Sequence, residues 1–218
     1  MKNISDFKAL FFDMDGTLVN SEPLHEKAWC DTLERFELSL ASDWFHQWTG
    51  STDFYLLQGI MEEFGIDLDV EGLLDEKRNR FLDIARESPL LFDGVKEGLD
   101  YLNSYFPIIM VTSSSRISAE NVLKWSDMEK YFDTIITFND VENPKPHPEP
   151  YLKAARFLNL SPESCLAFED SLSGIKSAKT AGCFTVAVEN SLPAEQLQSA
   201  DVVLKDSRAL MHWLKSLL

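Results

Sequence analysis

Cysteine is scarce in this chain: three residues in 218, at positions 30, 165 and 183, an odd number with no C-x-x-C pair. That excludes a disulfide framework and a thiolate zinc centre, and fits free, buried thiols in a reducing cytoplasm. Long apolar runs are missing too, so nothing in the sequence approaches the length needed to cross a bilayer. The opening MKNISDFKALFF has only a short apolar stretch and no small-residue cleavage site, which argues against a secretory leader. Positive charge is in short supply: 20 Lys and Arg face 36 Asp and Glu, for a formal net charge of −16. Nucleic-acid binding needs dense basic surface, so such a partner is excluded as the default. There is neither an internal repeat nor a low-complexity tract.

Against these absences stand short apolar runs rich in β-branched or aromatic residues: ALFFD ending at Asp13, PIIMVT at Thr112, TIITF at Phe138, CLAFED at Asp170 and FTVAV at Val188. Continuous rather than alternating hydrophobicity predicts strands buried on both faces. Helical patterns separate them, from Val95 to Leu102, Ile117 to Trp125, Pro150 to Leu158, and Ser171 to Ala181 with Gly182 as its stop. Strands alternating with helices predict a parallel α/β sheet. Residues 20–90 break the rhythm, with no convincing strand but amphipathic patterns such as LHEKAWCDTLERF and EGLLDEKRNRFLDIA. They read as a helical insertion, edged by NSEP and by ESPLLFDG, where Pro89 and Gly94 bracket the return to the core.

The first strand ends in FFDMDGT, and residues two apart on a strand face the same side, so Asp13 and Asp15 project together. Paired carboxylates are costly unless a cation or a shared proton separates their roles, and Gly16 lets the chain turn away just beyond. Hard oxygen ligands, few in number, suit magnesium. A simple Asp-Gly turn is the plain alternative, but the carboxyl end of a buried strand is where open α/β sheets bind ligands. A calcium EF-hand loop is excluded, because Leu18 and Leu24 stand where it needs Gly and Glu. Other strand ends supply Thr112 with Ser113, Ser114 and Ser115, then Lys145 in NPKPHPEP, then Glu169 with Asp170. Each alone is an ordinary cap, loop or surface feature. Together they offer donors, a fixed cation and a further metal ligand, the parts of a phosphoryl-transfer site.

The order DMDGT, VTSS, Lys145-Pro146 and Glu169-Asp170-Ser171 resembles the four motifs of the haloacid dehalogenase superfamily, over almost the whole chain. KPHPEPY and EDSLSGIKSAKTAG further resemble its β-phosphoglucomutase-like branch of phosphatases and mutases. The resemblance implies Asp13 as nucleophile, forming an aspartyl-phosphate, and Asp15 as the acid that protonates the leaving oxygen and then activates water. It implies Thr112 and Ser113 as phosphate-binding, Lys145 as the neutralising cation, and a magnesium shell of Asp13, Asp15 through its carbonyl, and Asp170 helped by Glu169. True dehalogenases of the superfamily lack the second aspartate, so Asp15 points to phosphatase chemistry.

The same resemblance implies an α/β core at 1–19 and 91–218 and a helical cap at 20–90 that closes over the site. His25 and Trp29, four apart on one helical face, match positions where the branch carries substrate-facing residues, although a Trp at this spacing is also ordinary packing. At Asp53, in TGSTDFYLL, the mutases carry an arginine that grips a second phosphate, which a carboxylate would repel. The expectation is therefore a three-layer Rossmann-like α/β protein, monomeric and cytoplasmic. Its expected activity is magnesium-dependent phosphatase action on small phosphorylated metabolites, sugar phosphates foremost. A hexose phosphomutase is the alternative. A phosphoacceptor signalling domain fits worse, since receivers lack both the helical insertion and the D-x-D-G-T string, and the intact motifs argue against a catalytically idle binding protein.

Overall fold

The computed structural model describes residues 6–216. Its centre is a six-stranded, all-parallel sheet of β1 (Ala9–Phe12), β2 (Ile108–Val111), β3 (Thr134–Ile136), β4 (Cys165–Glu169), β5 (Phe184–Val188) and β6 (Val202–Leu204), in the spatial order β3-β2-β1-β4-β5-β6. The first two strands built outward run one way from β1 and the later ones run the other. This order creates a crevice at the carboxyl ends of β1 and β4, where the direction of winding reverses. Register places Phe12 beside both Met110 and Phe168, so three strands reach that edge level with one another.

Alternation along the strands builds the layers. Leu10, Phe12, Ile108, Met110, Leu166 and Phe168 face one side and pack with α5 (Val95–Leu102), α6 (Arg116–Trp125) and α9 (Ser207–Ser216). Ala9, Phe11, Ile109, Val111 and Ala167 face the other and meet α7 (Glu149–Phe157) and α8 (Leu172–Ala181). Both faces are dry, hence the unbroken apolar runs, and burial of each large side chain stabilises by ~1.5–3 kcal/mol.

Between β1 and β2 the chain forms four further helices, α1 (Glu22–Leu33), α2 (Ser42–His46), α3 (Asp53–Phe64) and α4 (Val70–Arg86). Trp29, Leu33, Leu57, Ile60 and Leu73 form a separate apolar cluster among them. Ala28, Phe81 and Ala85 instead join the main core, so α1 and α4 root this helical layer onto the sheet.

The departures from expectation are local. TIITF ends as a strand at Ile136, because Thr137 closes a capping box with Asp140, whose carboxylate accepts from the Thr137 amide at 2.8 Å and its hydroxyl at 2.6 Å. Ser171 is the N-cap of α8 rather than a helical residue, accepting from the amide of Gly174, whereas α6 starts at Arg116, one residue before the expected Ile117, with Ser115 as its cap. β6 and α9 have no counterpart in the sequence reading, since VVL between Asp201 and Lys205 is too short a run to register as a strand. Cys165 and Cys183 are buried, but Cys30 is exposed on α1, contrary to the expectation of three buried thiols. No helix among the described residues is long and apolar enough to cross a membrane.

Candidate active site

Asp13 follows β1 directly, its amide donating to the Phe168 carbonyl of β4 at 3.0 Å. The chain then turns at Gly16 (φ +75°), where a Cβ would stand 1.9 Å from Asp170 Oδ2 and 2.5 Å from Ser191 Oγ. Only glycine permits both that backbone conformation and that approach.

Lys145 is 2% exposed, and its ammonium donates to Asp13 Oδ1 (2.7 Å), Glu169 Oε1 (2.6 Å) and the Val111 carbonyl (2.8 Å). All three of its protons are thus used. Tyr151 donates to the same Glu169 oxygen at 2.6 Å, and the Ser171 hydroxyl reaches the other at 3.3 Å. Burial disfavours the charge on Lys145, but Asp13 and Glu169 more than offset it and push its pKa above the ordinary lysine value.

Two of these groups, Asp13 and Glu169, form with Asp170 a cluster of three buried carboxylates whose oxygens lie within 4.8 Å of one another. Burial raises the pKa of Asp13 well above the ordinary carboxyl value, with Glu169 and Asp15 adding to it and Lys145 opposing. Asp170 is raised likewise by burial, then by Asp13 and Glu169. Thr17 Oγ1 lies 3.4 Å from Asp170 Oδ1, whereas Oδ2 is buried with no hydrogen-bond partner. A buried carboxylate oxygen left bare beside two other carboxylates fits a hard divalent cation such as magnesium. Glu169 borders that cluster with both oxygens already engaged, so it anchors Lys145 as well.

Asp15 has different surroundings. Its Oδ1 accepts from Ser21 Oγ and faces His25 Nε2 at 3.3 Å, and its Oδ2 accepts from Ser114 Oγ at 2.7 Å with Thr112 Oγ1 at 3.4 Å. Burial alone would raise its pKa, but His25, Ser21 and Ser114 hold the carboxyl far below the usual range. The Ser113 hydroxyl turns away from the aspartates to the Gly50 carbonyl at 3.0 Å, tying the β2 loop to the helical layer.

Above these groups lies a cavity of about 250 Å³. Asp13, Asp15, Thr112, Ser113 and Ser114 line it from the strand ends; Glu22, His25, Trp29 and Asp53 line it from helices α1 and α3, and Trp48 from the turn after α2. Lys145, Glu169 and Asp170 are not among its lining residues, and are joined to it through Asp13. His25 and Trp29 are both at the site, although Trp29 is also packed: it is 1% exposed, and its indole donates to Asp53 Oδ1 at 3.0 Å.

Several participants were not read from the sequence. Lys77, in the charged stretch EKRNR of α4, looks like a solvated lysine, yet it is 1% exposed and bridges Asp53 Oδ1 (2.6 Å) and His25 Nδ1 (2.7 Å). Nothing local distinguishes it from its neighbours. Ser21 and Glu22 carry no sequence signal of their own, and the KPHPEPY string, which Tyr151 ends, assigns that residue no role. Asn190, which donates to the Gly16 carbonyl at 2.7 Å, could have been found, because it follows β5 and the strand-end rule applies to it.

Comparison with known proteins agrees with this geometry. A family profile described as "Haloacid dehalogenase-like hydrolase" matches residues 10–188. The phosphorylated carbohydrates phosphatase of Thermotoga maritima is 34% identical over 180 residues, 80% of this chain and 82% of that protein. The fructose-1-phosphate phosphatase of Escherichia coli is 33% identical over 186 residues, 84% of this chain and 96% of that one. A crystal structure of β-phosphoglucomutase from Clostridium difficile superposes with a TM-score of 0.87 over 97% of this chain and 96% of that one, at 24% identity, a likeness of fold. With its motifs gathered at the strand ends of this sheet, the chain belongs to the haloacid dehalogenase-like hydrolases.

Proposed function

We propose that this hydrolase is a magnesium-dependent phosphatase of small phosphorylated metabolites, sugar phosphates foremost, working through an aspartyl-phosphate on Asp13. The observation that carries the reading is the contrast between two aspartates at one cavity. Asp13 is bound to a buried ammonium and belongs to the carboxylate cluster, whereas Asp15 is held by hydroxyls and an imidazole. Nucleophile and proton carrier are thereby kept apart.

Asp13, Asp170 and the Asp15 backbone carbonyl would hold the magnesium ion, with Glu169 at its border. The ion supplies Lewis-acid neutralisation of the phosphoryl oxygens. An Asp13 carboxylate oxygen attacks phosphorus in line with the ester oxygen, the P–O bond to the alcohol breaks, and Asp15 gives that oxygen its proton. Water then attacks the aspartyl-phosphate. Asp15 takes a proton from it, and the bond between phosphorus and Asp13 breaks to release phosphate. Substrate charge entering beside Asp15 raises its affinity for a proton, which favours the acid form for the first step. Lys145 keeps Asp13 oriented and offsets charge, while Thr112 and the Ser113 amide hold the transferring oxygens. Residues 20–90 act as the cap that excludes bulk water. The unpaired cysteines fit a cytoplasmic address.

A hexose phosphomutase would use the same core but must grip a second phosphate, and Asp53 disfavours that. The test is phosphate release from a broad panel of phosphorylated metabolites, with and without magnesium. Free phosphate is expected without any bisphosphate activator. Activator-dependent isomerisation without net hydrolysis would overturn the phosphatase reading, and a phosphoenzyme persisting for hours would favour an acceptor domain.

A further inference from the structure

The wall of the cavity facing Asp13 has a distinctive charge pattern. Its ionisable lining outside the strand ends consists of the carboxylates Glu22, Glu26 and Asp53 with His25, and no Lys or Arg lines it among the described residues. The nearest cation on that side, Lys77, is absent from the lining. It is enclosed by the rings of Trp29 and Phe81, at 5.6 and 5.5 Å, and by His25 and Asp53. Its charge is therefore already matched before substrate enters.

Asp53 is placed differently. Oδ1 receives Lys77 at 2.6 Å and the Trp29 indole at 3.0 Å, whereas Oδ2 makes no hydrogen bond among the described residues. The side chain is 40% exposed, and the residue lines the cavity. One oxygen is thus clamped and the other is left as a free acceptor on a residue that lines the cavity, with Asn20, Thr49 and Ser51 as further neutral partners in the same wall. An acceptor of this kind suits alcohol O–H groups and repels a second anion.

We propose that Asp53, aimed by Lys77 and Trp29, selects the leaving group: it accepts a hydrogen bond from a hydroxyl of an uncharged polyol or sugar and rejects esters bearing a second phosphate or a carboxylate. Asp53 is a specificity residue that touches substrate, and Lys77 is a positioning residue that acts through it. This rests on the phosphatase reading and narrows its substrate class.

The experiment measures kcat/KM for phosphate release by the full chain with magnesium. Fructose 1-phosphate and glucose 6-phosphate are compared with the corresponding bisphosphates and with 2-phosphoglycolate. The wild type is expected to favour the uncharged leaving groups by about tenfold or more. In D53N the Lys77 ammonium loses its counter-charge, and the preference should fall by at least about tenfold. In D53N/K77M, which lacks the repelling carboxylate and the unmasked cation alike, the preference should still fall, though less than in D53N, and a double variant that kept the wild-type preference would overturn the role of Asp53.

A wild type that hydrolyses acid-bearing esters as well as neutral ones would overturn the proposal, as would an unchanged preference in folded D53N. Should D53N fail to fold, the wild-type preference still decides. No phosphate release from any member of the panel would be a different result, refuting the phosphatase reading itself.

Discussion

At the scale of single residues, the two aspartates of FFDMDGT owe their different behaviour to what surrounds them. Asp13 meets Lys145 across 132 positions of sequence, and Asp15 meets Ser114 across 99. On the proposed mechanism, Asp13→Asn removes the attacking oxygen, so phosphoenzyme formation disappears and phosphate release falls by at least about 10³-fold. Asp15→Asn, whose side chain lies outside the carboxylate cluster, slows both steps while magnesium still binds. Rapid-quench trapping of phosphoprotein with calorimetry of magnesium binding checks both, and full activity in Asp13→Asn would refute the mechanism. That these two aspartates share one cavity was legible, because residues two apart at the end of a buried strand face the same side, whereas their separate roles are what the family resemblance implies. Which hydroxyl serves Asp15 was not, since Ser113, Ser114 and Ser115 are alike in sequence and only the loop geometry sends one to Asp15, one to Gly50 and one to cap α6.

At the scale of elements, α8 and the α3–α4 pair carry the more telling constraints. Gly174 sits in the first turn of α8, where alanine would ordinarily stabilise a helix by up to ~1 kcal/mol. Here a Cβ would lie 1.9 Å from Glu169 Oε2 and 2.0 Å from its Cδ. Glu169 is fixed by Lys145 and Tyr151 and cannot yield without releasing them. Gly174→Ala should therefore destabilise, by about 1–3 kcal/mol, and lower kcat, as urea melts and steady-state rates would show. The α3–α4 pair carries a pH signature. Burial opposes the charge of Asp53, but Lys77, His25 and Trp29 lower its pKa below the ordinary value. A depressed carboxyl pKa contributes stability that is present above the unfolded value and is lost as pH falls through the folded one. Asp53→Asn should cost about 1–2 kcal/mol at pH 7, less than a fully buried pair because Asp53 is 40% exposed. Denaturant titrations should show that gap beginning to close as pH falls below the unfolded carboxyl value of about 4, and closing fully only at lower pH where the folded Asp53 gains its proton; a gap independent of pH would remove the ion pair from the account.

At the scale of the whole molecule, a chain of net charge −16 buries three carboxylates together with one lysine, which binds two of them. Such a cluster is relieved by a divalent cation, so magnesium at about a hundred times its dissociation constant should stabilise the fold by about 2.7 kcal/mol. That corresponds to a rise of roughly 5–10 °C in Tm. The rise should vanish with chelator and in Asp170→Asn, and a wild-type melt indifferent to magnesium would contradict the proposed site. The sequence by itself determined the class of fold and the positions of the acids. A strand dry on both faces must be written as an unbroken apolar run, and a carboxylate at its end stands out against that run. The helical composition of residues 20–90 was legible in the same way, from periodicity. What only the tertiary structure decided is which side chains of those helices meet the core. Lys77 reaches Asp53 and His25 from positions 24 and 52 residues away, and nothing in its local pattern separates it from a solvated lysine until α1, α3 and α4 close around it.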